Sequence, residues 1–222
     1  MSTLVAVPVK DLVNAKQRLI PFLSPSERSD LARAMLEDVL DALVQARLGE
    51  VLVVTRDPSV EALARRQGAG TLSEDANRGH TEAVAHAQRA ALARGARRFL
   101  TIPGDVPCVT PDELRALADA LGEAPGAAFV PSLSGFGTNA ALLEPPDAMP
   151  LKFGEPSFDN HLVAARAAGL RPLVRRLPGI GLDIDAPEDL ALLLERGPST
   201  RSARLLASLG VPARLSRRSP EA

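Results

Sequence analysis

Leu4 to Val9 read LVAVPV, an apolar run too short for a helix. A polar segment follows it, and then a helical pattern over 25–47. The same rhythm returns three times: EVLVVT (50–55) before 58–67, a short run near 70–73 before 80–95, and RRFLTIP (97–103) before 111–122. Short apolar strands alternating with amphipathic helices are the pattern of repeated βαβ units. The expected fold is therefore α/β, a mainly parallel Rossmann-like sheet with helices on both faces. At 222 residues the chain is sized for one such domain. Two helix starts are marked by capping boxes, Ser24-Pro25 with Glu27 and Thr110-Pro111 with Glu113. In the first helix Leu31, Met35, Val39, Ala42, Leu43 and Ala46 recur at helical spacing and define a buried face.

From 126 onward the pattern changes. AAFVPS (127–132) and NAALLEP (139–145) are short strands joined by the turn-rich SGFGT (134–138), a strand excursion inserted into the sheet. A Pro-rich stretch covers 145–156, and the last expected helix follows LDIDAPEDL (182–190), with Asp185 as its cap and Pro187 in its first turn. The domain is read as 1–197. Beyond it the chain turns basic, with Arg201, Arg204, Arg214, Arg217 and Arg218, and 198–222 is expected to be a mobile tail.

Composition excludes whole classes of function. With 26 Lys plus Arg against 27 Asp plus Glu, the net charge of −1 gives no field for gathering nucleic acid. Six Phe without Trp or Tyr leave few platforms for stacking bases. Cys108 is the single cysteine, so no internal disulfide forms, as expected of a reducing cytoplasm. No window approaches the roughly 18 apolar residues of a membrane span, and no basic leader precedes the first strand. The expectation is a soluble cytoplasmic protein with a small-molecule substrate.

Ligands of open α/β sheets bind beyond the carboxyl ends of the strands, so chemistry is sought in the loops there. VPVKDLVNAKQRL (7–19) sets Lys10, Lys16 and Arg18 directly after a buried strand. A triphosphate supplies the anions they need, and fixed cations also stabilise charge on transferring phosphoryl oxygens. The alternative for Lys16 and Arg18 is a solvated face. Neither GxxxxGK[ST] nor GxGxxG is present.

In TIPGDVPCVTPDEL (101–114) Gly104 permits an unusual backbone angle or a close approach, and Asp105 is a hard oxygen ligand suited to Mg²⁺ or else a turn residue. Asp183 and Asp185 alternate along an extended segment and so share one side. Three converging carboxylates repel one another unless a cation sits among them. Gly135, Gly137 and Thr138 open a turn whose amides and hydroxyl can meet an anion, while Asn139 is read as a turn residue. Gly154 precedes a helix start at Ser157, which is either its N-cap or part of an anion pocket for an acceptor. His80, His86 and His161 share no metal spacing and are read as surface or helix residues. Cys108 has no histidine nearby in sequence to activate it as a nucleophile.

VPVK with AKQRL, then GDVP, GFGTNAALL, FGEPSF with His161 and LDIDAPEDL resemble, in this order over about 3–195, the guanylyltransferases that make the activated phospholactate-type precursor of the deazaflavin coenzyme F420. The resemblance implies a GT-A/MobA-like nucleotidyltransferase fold that uses GTP and Mg²⁺ to guanylylate 2-phospholactate, phosphoenolpyruvate or 3-phosphoglycerate. It implies Asp105, Asp183 and Asp185 as metal ligands, and Lys10, Thr138, Gly154 and Ser157 as holders of the phosphorylated acid. Lys16, Arg18, Gly79, Thr81 and Gly104 are expected at the nucleotide. A hand-off of the unstable product to the next enzyme and a homodimer are further expectations. The chain departs from the family at NRGHTEAV (77–84), where His80 and Thr81 stand in place of the usual Leu-Asn pair, which puts base contacts in doubt. Rival readings are another nucleotidyltransferase, a GT-A glycosyltransferase suggested by the Asp-Ile-Asp triplet, and a non-catalytic nucleotide sensor.

Overall fold

The computed structural model describes residues 2–12, 15–74, 79–122 and 124–217. Asn77 and Arg78 of the NRGHTEAV segment, and residues 218–222 with Arg218, lie outside the described residues.

The chain begins with β1 (Thr3–Pro8), a 3₁₀ turn at Gln17–Leu19, α1 (Pro25–Ala46), β2 (Gly49–Thr55), α2 (Pro58–Arg66), β3 (Gly70–Ser73), α3 (His80–Ala93), β4 (Arg98–Thr101) and α4 (Pro111–Ala118). It continues with β5 (Gly126–Pro131), β6 (Thr138–Glu144), α5 (Ser157–Ala167), β7 (Leu173–Val174), α6 (Pro178–Gly181), α7 (Pro187–Arg196), α8 (Arg201–Ser208) and α9 (Val211–Ser216). The strands form a single seven-stranded sheet in the order β3-β2-β1-β4-β6-β5-β7. β1 is parallel to β2 and β4, whereas β6 runs antiparallel to both β4 and β5. The reversed strand is the excursion that the sequence announces after 126. It has one consequence for function: the start of β6 lies at the same sheet edge as the carboxyl ends of β1 and β4.

Period-2 alternation divides the core into two layers. Val5 and Val7, Val51 and Val53, and Leu100 and Leu142 face α1, α4, α7 and α8, while Leu4, Ala6, Leu52, Phe99 and Leu143 face α3 and α5. Both capping boxes form. The Ser24 and Thr110 side chains accept from the Glu27 and Glu113 N–H groups, and the two carboxylates bond back to the cap N–H groups.

The carboxyl-terminal segment departs from expectation. Two helices, α8 and α9, fill most of 201–216, and α8 packs against α1. Thr200 caps α8 by accepting from the Ala203 N–H. Asp38 receives the Ser202 N–H at 3.0 Å and its hydroxyl at 2.7 Å, and Arg201 pairs with Asp41. Arg214 clamps Glu27 at 2.8 Å; this hydrogen bond, with that from Ser24 N–H, holds the Glu27 carboxyl down at about 2. Arginine-rich composition hides a short apolar face made of Ala203, Leu206 and Val211, all buried. We predict that Leu206→Ala costs about 2–4 kcal/mol through the cavity it leaves. The check is urea denaturation, in which an unshifted midpoint would mean that α8 is not part of the folding unit.

A second correction concerns α7. Its N-cap is Ala186, and Asp189 in its first turn accepts from the N–H groups of Asp185 (2.9 Å) and Ala186 (2.7 Å). Asp185 is thereby released from capping. Likewise Ser157 is the first residue of α5 and not its cap, which is Pro156. Among the described residues no helix is long and apolar enough to cross a membrane.

Candidate active site

Asp105 follows β4, and its backbone C=O accepts the N–H of Ile184 at 3.1 Å, which ties the 183–185 segment to the β4 loop. Ile184 is buried and its two neighbours project away from the core. Lys16 lies between the two segments. Its Nζ donates to Asp105 Oδ2 at 2.5 Å and to Asp185 Oδ1 at 2.7 Å. The backbone of Lys16 is left-handed, with φ 57°, an arrangement that disfavours a non-glycine residue and recurs at functional sites. Burial of Lys16 works against its charge, but the two carboxylates outweigh it and hold the ammonium above its ordinary pKa.

Asp183 completes the group from the other side. Asn139 Nδ2 donates to Asp183 Oδ1 at 3.0 Å, and shares its two N–H groups with the carbonyls of Ile180 (3.0 Å) and Gly181 (3.1 Å). Burial first, then the facing charges of Asp105 and Asp185, push the Asp183 carboxyl upward. As they stand, Asp105 and Asp185 pair with the Lys16 ammonium and Asp183 with Asn139, and no group of three or more His, Cys, Asp or Glu among the described residues is placed to hold a metal ion. Carboxylate oxygens are nevertheless the donors that a hard divalent cation takes, and the facing charges of Asp105 and Asp185 disfavour the ionised Asp183.

Beside Lys16 and Asp105 a cavity of about 260 Å³ is walled by Leu12, Met35 and Leu36 and edged by His80 and Gly104. At Gly104 the need is for close approach, since a Cβ there would meet Leu36 at 3.1 Å. His80 packs edge-on against Phe153, and its pKa is lowered by burial.

A second cluster sits at the start of β6. The Thr138 N–H donates to Ser157 Oγ at 3.0 Å, and Thr138 Oγ1 bonds His161 Nδ1 at 2.9 Å. All three residues are buried. The Phe153 N–H donates to Thr81 Oγ1 at 3.0 Å, so Thr81 fastens the loop that carries Gly154 to the start of α3. Gly154 is exposed, with φ 115°, a conformation that glycine adopts without strain.

Of the residues singled out in the sequence, Lys16, Asp105, Asp183 and Asp185 come together, as do Thr138 and Ser157. Lys10 and Arg18 are exposed and belong to neither group; Lys10 lines a separate opening with Arg56, Asp57 and Glu74. Gly79 starts α3 with φ 101°. One residue is misread from sequence: Asn139 is not a turn residue but a buried strand residue gripping Asp183. His161 lies on a helix as read, and is buried there. The signal that could have found Asn139 is a polar pair opening an otherwise apolar strand. Cys108 is pushed up to about 11, by burial first, which disfavours the thiolate that a nucleophile needs.

Residues 3–221 match the family described as Guanylyl transferase CofC like. The chain belongs to that family. It is 43% identical over 197 residues to the phosphoenolpyruvate guanylyltransferase of Rubrobacter xylanophilus, covering 89% of this chain and 96% of that protein. It is 32% identical over 217 residues to the 2-phospho-L-lactate guanylyltransferase of Methanobrevibacter ruminantium, covering 92% and 90%. Among solved structures, a nucleotidyl transferase from Methanothermobacter matches with TM-score 0.62 at 18% identity over 93% of this chain and 98% of that one. This shows the nucleotidyltransferase fold. As a member of the CofC-like family the chain is a guanylyltransferase, and the rival readings, a glycosyltransferase or a nucleotide sensor, have nothing in their favour.

Proposed function

We propose that this guanylyltransferase moves GMP from GTP to the phosphate of a small phosphorylated three-carbon acid, releasing pyrophosphate, with Mg²⁺ held by Asp105, Asp183 and Asp185. The observation that carries the reading is the proximity, at one sheet edge, of the carboxylate group around Lys16 and the hydroxyl pair Thr138 and Ser157. The first suits a metal-bound triphosphate and the second an anionic acceptor. A divalent cation on the carboxylates supplies neutralisation of phosphate charge.

The rest is done by side chains of this chain. Lys16 leaves its carboxylates for the triphosphate and stabilises negative charge as it moves to the leaving pyrophosphate. The 153–158 loop and the Thr138 and Ser157 hydroxyls hold the acid. Its phosphate oxygen attacks the α-phosphorus of GTP as the bond to the β-phosphate oxygen breaks. The attacking phosphate is already ionised near neutral pH, so no general base is needed, and positioning dominates. Higher identity to relatives named for phosphoenolpyruvate favours that acid as the acceptor. The product is a diphosphate diester whose P–O–P anhydride bond is activated for a further transfer, consistent with a place in the assembly of the deazaflavin coenzyme.

The test is to incubate the protein with GTP, Mg²⁺ and each of phosphoenolpyruvate, 2-phospho-L-lactate and 3-phosphoglycerate, alone and in competition. Acid-dependent pyrophosphate release and an adduct of the expected mass support the reading. Without acceptor, α-labelled GTP should leave no label on the protein. A stably guanylylated chain, or no acid-dependent release with any of the three, overturns it.

A further inference from the structure

His161 has no place in the reaction just described, yet it is buried at the acceptor cluster with both ring nitrogens bonded. Nδ1 lies 2.9 Å from Thr138 Oγ1, and Nε2 lies 3.0 Å from the backbone N of Lys152. A backbone N–H only donates, so Nε2 is the acceptor. A neutral ring that accepts at Nε2 carries its proton on Nδ1, and that proton is donated to Thr138 Oγ1. The ring itself is fixed, stacked on Phe129 at 5.5 Å with 5° between planes and met edge-on by Phe153 at 5.0 Å. Burial holds the imidazole neutral, near 4.

The direction of each hydrogen bond then follows. Thr138 Oγ1 accepts from the imidazole, so its own hydrogen points elsewhere. Ser157 Oγ accepts the Thr138 N–H at 3.0 Å, so its hydrogen too is left to donate elsewhere. Among the described residues no acceptor is bonded to either hydroxyl hydrogen. The cluster therefore holds two hydroxyls that each accept one bond and keep a hydrogen available to a ligand oxygen. An imidazole in the other tautomer would accept from Thr138 and turn its donor inward, which would set an oxygen lone pair against an anion.

We propose that His161 is a positioning residue that fixes the Thr138 hydroxyl as a donor to the anionic acid, and that fastens the Gly154 loop through Lys152 N–H. This rests on the acceptor pocket of the proposed function. It extends that reading by assigning specificity for an acceptor-only group, a phosphate or carboxylate oxygen, to a side chain that never touches it.

Two substitutions separate the two ring nitrogens. The amide of Asn superposes on Nδ1, and that of Gln on Nε2. His161→Asn, which keeps the donor to Thr138 and gives up only the Lys152 anchor, should raise the KM for phosphoenolpyruvate less than His161→Gln does. His161→Gln should raise it about tenfold, the usual effect of losing one well-aligned donor, with kcat and the KM for GTP little changed. In a Thr138→Val background His161→Gln should add nothing, because its effect runs through the missing hydroxyl. Independent effects of the two changes, or equal rises in both KM values, would overturn the assignment. Should the variants not fold, ¹⁵N–¹H spectra of the unaltered protein decide: Nδ1 protonated and Nε2 bare is expected at neutral pH, and the reverse tautomer or an imidazolium refutes it. Failure of the functional reading is visible separately, as wild-type protein without acid-dependent pyrophosphate release.

Discussion

Asp183→Asn lowers turnover by about 10³-fold or more, equivalent to about 4 kcal/mol of transition-state stabilisation, while the protein without Mg²⁺ is as stable as the wild type or more so. The two halves have opposite signs for one reason. Burial and the neighbouring Asp105 and Asp185 charges make the ionised Asp183 unfavourable in the folded chain, so removing its charge relieves the site. The amide oxygen can still accept from Asn139, so the local fold survives. Turnover in saturating GTP and acid at several Mg²⁺ concentrations is the measurement, with thermal unfolding as the control. Near-normal activity at limiting Mg²⁺ would remove Asp183 from the proposed metal site.

Lys16→Met is expected to lower turnover by about 10²–10³-fold, the usual effect of removing a fixed group that stabilises developing charge. It also separates two roles of the ammonium. In the structure Lys16 bridges Asp105 and Asp185, so it occupies the carboxylates that the proposal assigns to Mg²⁺. Without it, those carboxylates are unpaired. Asp185 is 52% exposed, so solvent screening limits the destabilisation to about 1–2 kcal/mol, below that of a fully buried pair. Mg²⁺ added without nucleotide should raise the melting temperature of the variant more than that of the wild type, since no internal cation competes. Equal Mg²⁺ shifts in the two proteins would show that Lys16 and the metal do not share ligands.

The parts of the site that could be read from sequence are those whose cause is local. Strand and helix alternation, both capping boxes and the Asp-x-Asp spacing depend on neighbours within a few residues, and they stand in the structure as read. What was hidden depends on distant partners or on one backbone angle. Lys16, Lys10 and Arg18 are equivalent as three cations in one segment, and only the left-handed turn at Lys16 selects the one that reaches Asp105, 89 residues away. Asn139 acquires its role from Asp183, 44 residues on, and His161 from Thr138, 23 residues back. The helices after 197 were concealed for a different reason: their apolar face is three residues wide, and the arginines around it pair with α1 acids that composition cannot locate.

Thr138 and Asn139 are adjacent in sequence, yet one belongs to the hydroxyl pair proposed to hold the acid and the other grips a carboxylate proposed to hold the metal, because neighbours in a strand point to opposite faces. A slip of β6 by one residue would exchange them and bring both halves of the site down together. The turn from Ser132 to Gly137 that sets this register is in large part exposed, with Phe136 outermost, and is pinned by Ser132 N–H to Gly137 C=O at 2.9 Å and Leu133 N–H to Gly181 C=O at 2.7 Å. Surface turns ordinarily absorb insertions and deletions freely. This one acts as a ruler: its side chains are open to change, but its length is frozen, since a single added or lost residue is arithmetic that the catalytic centre has to read.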